Sequence, residues 1–106
     1  MKESIKNWLH GQFGDDEAII GEIYAEYLNS AGEKLAETDA ALAAADYPQL
    51  DRLAHTFKGN ALMVGDQEFA DAAYELRNAS KISDGPACAA AVAKLHALHD
   101  AQTAEG

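Results

Sequence analysis

Ile20, Tyr24, Tyr27, Ala31, Leu35, Thr38, Leu42 and Ala45 recur at intervals of three and four without losing phase. Only a helix keeps such a series on one side, because its side chains return to the same face every three to four residues. The spacing predicts one long helix from Asp16 to about Ala45, with Ser30-Ala31-Gly32 as the place where it can bend. Composition points to the same class. Alanine is abundant, glycine and proline are confined to a few places, and β-branched residues are sparse, which favours helices that approach closely over small side chains.

The rest of the chain falls into helices around this one. Ile5, Trp8, Leu9 and Phe13 suit a short amphipathic helix over Glu3 to Phe13, lying across one end of a bundle, with Trp8, Tyr24 and Tyr27 read as packing residues. Gly14-Asp15-Asp16 breaks that pattern and supplies a capping carboxylate. Asp46-Tyr47-Pro48 restarts a helix running from Tyr47 to Val64, since proline's fixed φ suits a first turn. Gly65 stands where a left-handed cap is needed, and Asp66 begins a fourth helix ending near Lys81, with Phe69, Ala72, Ala73, Leu76 and Ser80 inward. After Ser83-Asp84-Gly85-Pro86, a last helix carries Cys88, Val92, Leu95 and His99 to about Asp100. The expected fold is all-α: a left-handed, antiparallel up-down-up-down four-helix bundle with a short N-terminal helix across one end. It is a single domain over residues 1–106, with its core at about 16–100 and a frayed tail at 101–106.

One stretch departs from ordinary helix. Leu50, Leu53, Phe57, Ala61 and Val64 share a stripe about 80° wide, while His55 lies roughly 160° from its centre with Lys58, Gly59 and Leu62 beside it. A mid-helix glycine costs about 0.5 to 1 kcal/mol relative to alanine, and an outward leucine gains nothing in an isolated monomer. A bare Cβ position lets another backbone come close to an exposed imidazole. A lysine one turn away holds an anion there, and an apolar neighbour docks a partner. The pattern describes an accessible nucleophilic histidine approached by a protein that carries a phosphoryl group.

Ala54-His55-Thr56-Phe57-Lys58-Gly59, followed by Gly65, resembles the signature of histidine-containing phosphotransfer (HPt) domains, and the likeness extends to Tyr27-Leu28, Leu35, Leu42, Asp46, Phe69 and Leu76. The resemblance implies a phosphorelay intermediate of two-component signal transduction that accepts a phosphoryl group on His55, at Nε2, from a receiver-domain aspartate and passes it to another receiver. It implies that Lys58 steadies the phosphoryl oxygens, that Gly59 and Leu62 meet the partner, and that Gly65 is structural. At Arg77 the chain departs from the family, which often carries glutamate or glutamine there. The arginine either contacts the phosphoryl group or the docked receiver, or is a solvated residue pairing with Glu75 or Asp71. The implied partners are a response-regulator receiver and a sensor or hybrid kinase. The chain itself needs no cofactor, and Mg²⁺ belongs to the receiver.

Charge narrows the classes further. With 8 Lys+Arg against 18 Asp+Glu, a net −10, the chain lacks the clustered positive charge that nucleic acid or an anionic membrane requires. A lone Cys88 forms no internal disulfide and no apolar run suggests a membrane span, so a cytoplasmic monomer is expected. No glycine-rich nucleotide loop or Walker lysine motif is present, which reads as a carrier and not a kinase. His96 and His99 form half a metal site without the other half, and His10 reads as a terminal surface residue. Two rivals remain: an unphosphorylated helical adaptor that binds a receiver through this surface, and a small histidine metal-binding bundle.

Overall fold

A computed structural model describes residues 1–105, which form five helices: α1 Glu3–Phe13, α2 Glu17–Ala43, α3 Tyr47–Met63, α4 Gln67–Lys81 and α5 Gly85–Glu105. Helices α2 to α5 pack in a ring, each touching the next and α5 closing on α2, while α1 lies against the start of α2. The short turns make neighbours antiparallel, and the body measures 44 × 20 × 17 Å, its long axis set by α2.

The three turns inside the bundle share one construction. At each, a residue in the left-handed region precedes an aspartate: Ala45 (φ 51°), Gly65 (φ 74°) and Ser83 (φ 54°), before Asp46, Asp66 and Asp84. The aspartate N–H donates back to the carbonyl five residues earlier, to Ala41 at 2.9 Å, Ala61 at 2.9 Å and Ala79 at 3.0 Å. Its carboxylate accepts from the N–H three residues later, at Gln49, Phe69 and Ala87, so one residue closes one helix and caps the next. Glycine avoids the left-handed penalty at only one of the three, and Ala45 and Ser83 each carry a cost of about 1 kcal/mol. α2 therefore stops at Ala43, not Ala45, and Ala45 is an exposed turn residue, not part of the inward stripe.

The core is built from the expected faces. Ile20, Leu35, Leu50, Phe57, Phe69, Leu76 and Leu95 are fully buried, with the Phe57 and Phe69 rings edge to face at 5.5 Å. Ala54, Ala61, Ala70, Ala72 and Ala73 are buried between them, the small residues that let α3 and α4 approach closely.

Two expectations are corrected. In α1, Ile5 and Leu9 are buried, but Phe13 is exposed and Trp8 is 45% exposed, its ring lying over Gly65 and its Nε1–H donating to the Met63 carbonyl at 3.2 Å. The tail does not fray after Asp100: α5 continues to Glu105, with only Gly106 outside the described residues. Its last turns are anchored because Gln102, 2% exposed, donates through Nε2 to the Asp66 carboxylate at 2.8 Å. Asp66 is itself 1% exposed and also accepts from the Tyr27 hydroxyl at 2.7 Å and Lys2 Nζ at 3.2 Å. One carboxylate thus ties the segment before α1 to α2, α4 and α5.

Candidate functional site

On α3 the inward turn of Leu53, Ala54, Phe57 and Ala61 forces His55 outward, and the structure leaves its ring exposed at mid-helix. Among the described residues the exposed imidazole makes no hydrogen bond or ion pair. A Cβ built on Gly59, one turn along, meets nothing within 4 Å. The glycine is therefore not there for helix packing, and the surface beside His55 is bare backbone. Leu62 (43% exposed) and Met63 (73%) continue the same side of the helix. Met63 then joins Phe13, Ile23, Tyr27 and Val64 in a mostly apolar groove between α1, α2 and α3.

Cations stand on two sides of the histidine. Lys58 is held beside the site: its Nζ lies 4.9 Å from the centroid of the Tyr74 ring on α4, a cation–π contact. On the other side, Asp51, Arg52, His55, Thr56 and Arg77 line one shallow depression. Arg52 and Arg77 are the chain's only arginines, so both guanidinium groups of a strongly acidic protein meet at this histidine. Arg52 donates to Gln49 Oε1 through Nε (3.0 Å) and Nη2 (2.7 Å). Arg77 Nε lies 3.4 Å from Asp51 Oδ1 across the α3–α4 seam. Of the two readings open to Arg77, the pairing with Glu75 or Asp71 is not found: Glu75 takes Lys94 and Asp71 accepts from Gln67.

Gly65 is structural in a stronger sense than a helix cap. Beyond its positive φ, a Cβ there would fall 2.5 Å from the Trp8 ring, so glycine is what admits α1 to the end of α3. Asp51 and Arg52 lie outside the motif, although helical spacing alone puts them one turn before His55. Tyr74 as a partner for Lys58 depends on the register of α4 against α3, which spacing within one helix does not contain.

A model of the Hpt domain family matches residues 22–104, from early in α2 almost to the end of α5. This chain belongs to the Hpt domain family. No curated protein and no solved structure matches it with significance. Membership places this Hpt domain in phosphotransfer within two-component signalling, where such domains act as phosphocarriers alongside receiver domains and kinases. α1, with Trp8 and Phe13, lies ahead of the matched segment. Among the described residues, no helix of this Hpt domain is long and apolar enough to cross a membrane.

Proposed function

We propose that this Hpt domain is a phosphorelay intermediate that takes a phosphoryl group on His55 from a receiver aspartate and delivers it to a second receiver. The observation that carries the reading is the unencumbered imidazole beside open backbone at Gly59. An incoming aspartyl phosphate can approach in line without displacing any side chain. The Nε2 lone pair attacks phosphorus, the acyl O–P bond breaks, and the receiver's carboxylate leaves with the bonding pair. The exposed ring gives up its other N–H proton to water, and the reverse sequence transfers the group onward. Lys58 faces the added negative charge, and Mg²⁺ chemistry is assigned to the receiver.

The receiver is assigned to the face running from His55 over Gly59 to Leu62, Met63 and the apolar groove beyond. Continuity with His55 supports this choice, because α3 carries both and rises only about 12 Å between His55 and Met63. Incubation with phosphorylated receivers, followed by mapping of the label, tests the proposal. Acid-labile, alkali-stable phosphate on His55 alone is expected. A receiver that binds tightly yet leaves His55 unlabelled would establish the adaptor reading instead.

Lys58→Ala should slow transfer about tenfold, the equivalent of one lost charge contact near 1.4 kcal/mol, while changing stability by less than about 1 kcal/mol. Wild-type transfer rates across a salt series would remove Lys58 from the site.

A further inference from the structure

We propose that Arg77 is a counterion held in reserve: it pairs with Asp51 while His55 is bare and turns to the phosphoryl group once His55 carries one. The proposal rests on the carrier reading above and adds a second, exchangeable cation to Lys58. Arg77 and His55 line one depression, so the guanidinium needs only a change of side-chain rotamers to face the imidazole edge. Its present partnership is incomplete. Arg77 Nε and Asp51 Oδ1 stand 3.4 Å apart as charges, yet both atoms are buried and neither makes a hydrogen bond. A guanidinium carries five donors in a rigid fork, and one of them is here shielded from water without an acceptor.

A neutral imidazole offers that fork nothing, so Asp51 keeps it. A phosphoryl group brings about two negative charges and three acceptor oxygens, and these match the fork in the two-pronged way a misaligned carboxylate does not. Arg52, on the same rim, is already engaged twice by Gln49 and has less to gain from moving. Lys58, three residues after His55, lies over Tyr74, and Arg77 stands beside Asp51, four residues before it, so along the α3–α4 seam the histidine falls between the two cations. The exchange makes and breaks no covalent bond. It releases the Asp51 carboxylate to water beside the modified histidine.

The test uses the whole chain and phosphoramidate, a small donor whose P–N bond breaks with loss of ammonia as the histidine N–P bond forms. Phosphorylated wild type, Arg77→Gln and Asp51→Asn are titrated by ³¹P NMR at low and high salt. An opposite charge in contact favours the doubly ionised phosphoryl group. The midpoint in Arg77→Gln is therefore expected about half a pH unit or more above wild type, with the difference persisting at high salt, where distant charges are screened. Asp51→Asn, which frees Arg77, should titrate at or below the wild-type midpoint. Equal midpoints in folded wild type and Arg77→Gln overturn the proposal. So does an upward shift in Asp51→Asn, which decides the matter if Arg77→Gln fails to fold. Phosphate accepted from phosphoramidate but from no receiver removes the relay reading alone, and a His55 that takes neither removes both.

Discussion

Replacing Gly59 by glutamine is expected to leave the melting temperature at or above wild type while lowering receiver-to-His55 transfer on the order of 10²-fold, the penalty for misplacing reacting groups by about 1 Å. The two halves of this result have separate causes. Glycine is a poor helix residue, and glutamine regains about 0.5 kcal/mol or more at a mid-helix position where nothing crowds the new side chain. The same side chain stands one turn from His55, over the bare backbone that an incoming receiver must cover. Thermal unfolding by circular dichroism and a transfer time course measure both halves on one sample. A stable variant that transfers at the wild-type rate would mean that the receiver does not approach across Gly59.

Asp66→Ala should destabilise the protein by about 3 to 5 kcal/mol, a large part of what a domain of this size holds. The substitution removes an N-cap and strands the Tyr27 hydroxyl, the Gln102 amide and the Phe69 N–H, all of which now donate to one buried carboxylate. Urea unfolding gives the value directly, and a loss below about 1 kcal/mol would show that water replaces the carboxylate at little cost. The same cluster sets an alkaline limit. Burial, and then the neighbouring Asp66 carboxylate, push the Tyr27 hydroxyl well above its ordinary value near 10. The unfolded chain releases that proton near pH 10 while the folded chain keeps it, so stability falls as pH rises through 10. Tyr27→Phe should blunt that fall.

Most of what positions the site could be read from periodicity. The inward series on α2 and α3, the outward placement of His55, Gly59 and Leu62, and the caps at Asp46, Asp66 and Asp84 follow from residue type and spacing, and the structure has them there. What was not legible depends on contacts between helices. Ala45 and Ser83 give no sign of a left-handed backbone, because alanine and serine disfavour it and only the geometry of the turn imposes it. An aspartate at a helix start is usually a solvated cap, so the burial of Asp66 becomes visible only when Tyr27 and Gln102 arrive from distant elements. The same holds for the tail, where Gln102 is anchored by a polar contact that an apolar pattern does not register. Arg77 stands out in the sequence by departing from the family pattern, but its partner Asp51 belongs to α3, whereas spacing within α4 offers only Glu75 and Asp71.

Trp8 is the chain's only tryptophan, and its indole sits half-exposed over Gly65 with its N–H on the Met63 carbonyl, at the edge of the groove that leads to His55. The protein therefore carries an intrinsic optical probe at the rim of its proposed docking face. A partner that settles on Met63 and the groove dries one side of that ring and moves its emission to the blue, with no label attached. Emission tracked against added receiver would time arrival and departure apart from phosphoryl movement, so that the residence of the partner and the chemistry at His55 become two clocks read from the same cuvette.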